Sequence, residues 1–166
     1  MVISPLNYTG NKAKSIKELI DIFPKDIDCF VDAFCGSCQV SFNSGAKKII
    51  CNDTNRFILE LVEYLYANDG LKIISDIDNI IEKYGFTDSA NPKNCYIEYK
   101  HEGLSRYNKV AFANLKNDYN KNPSTEKLFA LVIYGFNHYL RFNNKNIFAS
   151  NKILLISMPI LLNFVT

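Results

Sequence analysis

Apolar residues recur at helical intervals over residues 14–23, where Ile16, Leu19, Ile20 and Phe23 share a face and Pro24 ends the run. That spacing predicts a first short helix. Residues 28–34 then form a β-prone apolar run that stops at Cys35-Gly-Ser-Cys38, and residues 39–43 are placed to open a second helix. A second strand follows at residues 47–53. The next helix carries Ile58, Leu59, Val62 and Leu65 at i, i+1, i+4 and i+7. Strand, turn, helix, strand, helix is the opening of a parallel α/β sheet.

From Gly70 the texture changes. Residues 71–84 are amphipathic with helical period, and residues 88–94 are a polar, proline-containing loop. Two more helical patterns cover residues 107–119 and 125–136, the second with Ser124 or Thr125 as its cap. Residues 138–150, with Asn143-Asn144-Lys145-Asn146 between apolar flanks, read as a hairpin. The last stretch, residues 153–166, is strongly apolar. It is broken by Pro159 and is too short for a membrane span, so it reads as a core piece. No internal repeat or low-complexity linker stands out.

A chain of 166 residues, 48% hydrophobic and 22% charged, can bury its own core. The net charge of +2 neither requires nor excludes a polyanionic partner, so the distribution of charge matters more. From Lys127 onward there is no acidic residue, while Arg141, Lys145 and Lys152 all lie there. An acid-free end is compatible with phosphate contact, and equally with a solvated edge. The first residues show no basic leader or apolar run, which makes the cytoplasm the expected compartment. Five cysteines, an odd set in such a chain, argue against a disulfide framework.

Two segments carry candidate chemistry. Phe30-Val-Asp-Ala-Phe-Cys-Gly36 is paired with Asn52-Asp53 at the end of the next predicted strand. Ligands of doubly wound sheets sit outside the carboxyl ends of the strands, where a glycine admits the ligand to backbone and an acid on the next strand can take ribose hydroxyls. Asp53 follows Gly36 at close to the roughly twenty-residue spacing of that arrangement. A plain strand-turn-helix with Asp53 capping the next helix fits the same residues. The second segment, Pro5-Leu-Asn-Tyr-Thr-Gly-Asn-Lys12, offers an aromatic face and a cation to an adenine-bearing or anionic ligand.

Those two segments, continued by Val40-Ser-Phe-Asn43, by Asn52-Asp-Thr-Asn55 with Ile58 and Leu59, and by Tyr134-Gly-Phe-Asn-His-Tyr-Leu-Arg-Phe-Asn143, resemble in order and spacing the Dam-type DNA adenine methyltransferases, particularly their T-even bacteriophage branch. The resemblance implies an α/β fold: a Rossmann-like sheet for S-adenosyl-L-methionine (AdoMet), here incomplete, with a helical target-recognition segment. It divides the chain into an AdoMet-binding part (1–68), a recognition segment with hairpin (69–150) and a divergent apolar tail (151–166). By this resemblance Tyr8 and Lys12 contact AdoMet, Asp32, Phe34 and Gly36 surround its methionine part, and Asp53 binds its ribose. Arg141 matches a hairpin arginine that touches double-stranded DNA, with Phe136 and Asn137 as neighbouring DNA-facing positions. The implied activity is adenine-N6 methylation at a GATC-like site, of the kind used in restriction-modification.

The family's catalytic motif, Asp-Pro-Pro-Tyr or a close variant, should follow the recognition part, and no two prolines are adjacent in this sequence. The reading is therefore of a truncated enzyme without catalytic residues, inactive by itself. Two other readings stand beside it. A CxxC at Cys35 and Cys38 between a strand and a helix suits a thiol-disulfide oxidoreductase, whose helix terminus lowers a thiol pKa. A non-catalytic AdoMet- or DNA-binding remnant is compatible with the family. No metal is expected, since neither His101 nor His138 has a partner at metal-ligand spacing.

Overall fold

The structure, a computed structural model, describes residues 1–87 and 104–150 except 5, 7, 9 and 11. The predicted loop at 88–94 and the apolar tail at 151–166 lie outside the described residues. The chain divides into two compact units, Met1–Tyr64 and Leu65–Thr166.

Unit 1 opens with α1 (Ile16–Asp21), whose Ile16 is buried. Strands β1 (Cys29–Asp32) and β2 (Lys48–Cys51) then pair in parallel, with Cys29 opposite Lys48 and Asp32 opposite Cys51. This pair is the α/β element predicted by the pattern, and it is the one sheet among the described residues. Phe23 and Phe30 meet at 5.4 Å between ring centroids, which seats the end of the first segment on β1. The partners Val31 and Ile50 are both exposed, at 62% and 42%. The helix expected at residues 39–43 is a single 3-10 turn, Ser41–Asn43. Side chains there bond to groups outside the helix, as described below, and that competes with helical continuation.

Helix α2 (Arg56–Ala67) buries Phe57, Ile58, Leu61 and Tyr64, the three- and four-residue spacing of an amphipathic face. In unit 2, α3 (Gly70–Tyr84) is capped by Asp69, whose carboxylate accepts from the Lys72 N–H at 2.8 Å. It ends at Gly85, which takes the left-handed conformation (φ 74°) that closes a helix at least cost in glycine. A short α4 (Leu104–Tyr107) precedes α5 (Lys109–Lys121) and α6 (Thr125–Tyr134), and α6 packs against both α3 and α5. Every residue of α6 from Leu128 to Tyr134 is buried, which makes it the central helix of this unit. Ser124 caps it, as one of the two predicted candidates.

A polar clasp joins α3, α5 and α6. The Tyr84 hydroxyl donates to the Asp118 carboxylate, which also meets Lys127 Nζ at 3.1 Å and Lys83 Nζ at 3.6 Å. The Tyr84 hydroxyl bond and then Lys127 hold the Asp118 carboxyl well below the usual carboxylate range. A carboxyl depressed on folding adds stability that is complete above its unfolded pKa and lost as pH falls through the folded one. Thermal unfolding of the wild type and Asp118→Asn should therefore differ at pH 7, the wild type being the more stable. The gap should shrink as pH drops below about 4. A gap independent of pH would show that the carboxylate's charge is not what holds the clasp.

Candidate cofactor and DNA-binding sites

Below β1 and β2 the strand pairing continues as a turn. The Asn52 N–H donates to the Asp32 carbonyl at 2.8 Å, and the Cys35 N–H to the Asn52 carbonyl at 2.9 Å. The Asn52 side chain adds a bond to the Ala33 carbonyl at 3.0 Å. The turn around Phe34 is thus held along one whole side by the end of β2.

Asp53 completes the brace. One of its carboxylate oxygens accepts from the Gly36 N–H and the other from the Asn55 N–H, each at 2.9 Å. Gly36 itself has φ +51°, and a Cβ there would stand 2.9 Å from Tyr8 Cδ1 and 3.0 Å from Tyr8 Cε1. The tyrosine ring therefore lies on bare backbone, which only glycine provides at that backbone angle.

Tyr8 is delivered by an N-terminal segment tied down through polar groups. The Val2 N–H donates to Asn43 Oδ1 at 2.8 Å, and the Val2 carbonyl accepts from Asn43 Nδ2 at 2.7 Å and from Gln39 Nε2 at 2.5 Å. The Ser4 N–H donates to Gln39 Oε1 at 2.7 Å. Ser41 donates its hydroxyl to Asp32 Oδ2 at 2.5 Å, fixing that carboxylate. Gln39 and Ser41 are positioning residues the sequence reading did not single out. Their signal was faint: polar side chains at alternate positions just after a glycine.

These elements border an open cavity of about 400 Å³, lined among others by Tyr8, Lys12, Asp32, Phe34 and Gly36. Five of the six residues assigned to the cofactor by resemblance meet there. The sixth, Asp53, does not line the cavity and reaches it through its bond to Gly36. Phe34 is 85% exposed at the tip of the turn, an aromatic face presented outward rather than packed.

Cys35 and Cys38 do not have the electrostatics of a redox pair. Burial, ahead of all other causes, pushes the Cys35 thiol up to about 11. Cys38 is raised further, by burial first and then by its bonds to Cys51 and Cys35. Activated thiols are shifted the other way. The turn leads into one 3-10 turn and not into a helix whose terminus could stabilise a thiolate. The oxidoreductase reading is set aside on these grounds.

In unit 2, α6 runs into a 3-10 turn, Phe136–His138, in which Asn137 and His138 both take left-handed angles (φ 58° and 54°). Asn137 is exposed. The Phe136 side chain lies outside the described residues. His138 Nδ1 lies 3.1 Å from the Val132 carbonyl, which ties the turn back to α6. The predicted hairpin is present in short form: Phe142 and Phe148 make an antiparallel bridge, and the Ala149 N–H donates to the Arg141 carbonyl at 2.8 Å. Arg141 is exposed, its guanidinium 5.6 Å from the centre of the Tyr139 ring.

The hairpin stands on α5. Phe148 is buried, edge-on to both Tyr119 and Phe142, and its N–H donates to Asn120 Oδ1 at 2.9 Å. An exposed arginine on a short, anchored hairpin in an acid-free stretch is suited to a phosphate or a guanine edge.

The model of the D12 class N6 adenine-specific DNA methyltransferase family matches residues 8–152. The chain is 35% identical over 141 residues to the type II methyltransferase M.FokI of Planomicrobium okeanokoites, a match covering 85% of this chain and 19% of that protein. It is 34% identical over 153 residues to the modification methylase StsI of Streptococcus sanguinis, covering 90% and 21%. With the DNA adenine methylase of Haemophilus influenzae it shares 27% identity over 150 residues, covering 86% and 44%. The chain belongs to the D12 class N6 adenine-specific DNA methyltransferase family. It spans about a fifth of the length of M.FokI and StsI.

The contact of Tyr8 with Gly36 is open to a direct test. Gly36→Ala should destabilise the chain by about 1–2 kcal/mol through its left-handed angle alone. It should cost more where the Tyr8 ring is present. A double-mutant cycle with Tyr8→Ala, read by denaturant unfolding, should show that extra part vanish. Strict additivity would mean that the ring does not rest on this backbone.

Proposed function

We propose that unit 1 holds AdoMet and that the hairpin of unit 2 addresses double-stranded DNA, in the service of adenine-N6 methylation. The observation that carries this reading is the convergence of Tyr8, Lys12, Asp32, Phe34 and Gly36 on one cavity, with Asp53 bonded to its wall. A cavity of about 400 Å³ falls within the usual span of ~300–1,000 Å³ for small-ligand sites. Its donor set suits a zwitterionic nucleoside: a lysine for a carboxylate, a fixed carboxylate for an ammonium, and aromatic faces for a base. AdoMet supplies an electrophilic methyl group on a sulfonium.

The chain's residues then have distinct tasks. Tyr8 and Phe34 offer apolar faces to the ligand, while the Ser41 bond holds Asp32 oriented as an acceptor. Asp53 orders the Gly36 turn, and each of its oxygens keeps a second lone pair for a ribose hydroxyl. Arg141, with Asn137 and the turn at Phe136 beside it, sets the duplex in register, and GATC is the first target to try. In the complete α/β fold of such enzymes the parallel pair is the start of a larger Rossmann-like sheet.

Methyl transfer also needs an acceptor for the adenine N6 protons and an aromatic face for the flipped base. The Asp-Pro-Pro-Tyr set that would supply them is absent from this sequence, so binding without turnover is the expected behaviour of these 166 residues alone.

Calorimetric titration with AdoMet should give one site, weakened roughly tenfold to a hundredfold by Asp53→Ala, as expected for losing charged hydrogen bonds of about 1.5–3 kcal/mol. Arg141→Ala should leave AdoMet binding unchanged and weaken binding to a GATC duplex roughly tenfold. Equal AdoMet titrations for wild type and Asp53→Ala would remove Asp53 from the cofactor site. Tritiated methyl incorporated into the duplex by the chain alone would show that other residues replace the catalytic motif.

A further inference from the structure

Three cysteines converge beside the turn that follows β1. Cys35 and Cys38 lie on the turn and Cys51 ends β2, and their sulfurs all lie within 4.8 Å of one another. The strand register explains how residues distant in sequence meet. Cys51 sits opposite Asp32, the Cys35 N–H is bonded to the Asn52 carbonyl at 2.9 Å, and the Cys38 N–H folds back onto the Cys35 carbonyl at 2.8 Å. Cys38 is the hub: it is wholly buried, Cys35 nearly so, and Cys51 is half-buried.

Cys38 also has φ 56°. Side chains with a Cβ are strained there, where glycine is free. A buried cysteine commonly packs as a small apolar residue, but that accounts for neither the convergence of three sulfurs nor a thiol at a backbone position unfavourable to it.

We propose that Cys35, Cys38 and Cys51 form a binding site for one thiophilic divalent cation of the zinc type, held by three thiolates with a fourth position open to water. Sulfur at about 2.3 Å from zinc in tetrahedral array places the thiolates roughly 3.8 Å apart. Each pair therefore has to close by no more than about 1 Å from the spacing present. An all-sulfur donor set selects a soft cation over magnesium or calcium. On binding, each thiol releases its proton to solvent and each sulfur donates a lone pair to the cation, with no change of oxidation state. The cation pins the Cys35–Cys38 turn to the end of β2, next to Asp53.

The test uses the reduced full chain carrying Cys29→Ser and Cys95→Ser, so that only the three converging thiols remain. Titration with cadmium chloride, followed by the ultraviolet sulfur-to-cadmium charge-transfer absorbance, should saturate at one equivalent and reverse with excess zinc. Cys38→Ser and Cys51→Ser should each weaken cadmium at least tenfold, with thermal unfolding checked in parallel. Should Cys38→Ser fail to fold, the half-buried Cys51→Ser carries the test. Absence of the band in the folded chain, or an undiminished band in folded Cys51→Ser, overturns the site. The readout is independent of AdoMet and of DNA, so its failure leaves the proposed function where it stands.

Discussion

The parallel pairing of β1 with β2 is the constraint on which the Tyr8–Gly36 cavity depends, because it does not stop where the strands stop. Asn52 carries the ladder one bond further to Asp32 and another to Cys35, and Asp53 then takes the Gly36 N–H onto its carboxylate. Two short strands alone are marginal in water. Here the pair is lengthened by backbone bonds into the turn and closed by a charged acceptor, and charge-assisted bonds are about twice as strong as neutral ones. The turn that carries Phe34 is therefore an extension of the sheet, and its geometry follows from the strand register. A one-residue slip of β2 would exchange Cys51 for a neighbour opposite Asp32 and put Asp53 out of reach of Gly36.

The N-terminal segment is held differently. It is not part of the sheet, and its fixed points are amide and carbonyl groups of Val2 and Ser4 bonded to Gln39 and Asn43. Polar clamps of this kind specify register more sharply than apolar contact, since a displaced segment leaves the buried Gln39 amide without partners. The register matters because Tyr8 has to fall on the one residue of the turn that lacks a Cβ.

The sequence made the periodic elements legible. The apolar stripes of α2 and α3, the cap at Ser124 and the β-prone runs at β1 and β2 come directly from spacing, and the structure places elements there with ends moved by a few residues. Residues 39–43 have helix-compatible composition but fold as one 3-10 turn. Their side chains serve Val2, Ser4 and Asp32, and no local pattern encodes partners so far away in the chain. For the same reason Asp53 was legible as a strand-end acid but not as the brace of Gly36. The approach of Cys51 to the Cys35–Cys38 pair was hidden too, because it is a product of strand register and not of spacing. Where the resemblance spoke, it named side chains, and the backbone that holds them became visible only in the fold.

In unit 2 the same logic is expressed in helices. The hairpin has a single bridge between Phe142 and Phe148, far too little to define a rigid surface by itself. Its rigidity is borrowed from α5: Phe148 is buried against Tyr119, and Asn120 bonds both the N–H and the carbonyl of Phe148. The base of the hairpin thus behaves as an appendage of a well-packed helix, while Arg141 stays exposed. Just before it, Asn137 and His138 hold two consecutive left-handed conformations, and such strain persists only where the surroundings over-determine it. The tie of His138 to the Val132 carbonyl, in the buried C-terminal half of α6, is one such determinant. With the hairpin backbone anchored, only the side-chain rotamers of an exposed guanidinium there remain to be ordered when it meets a polyanion.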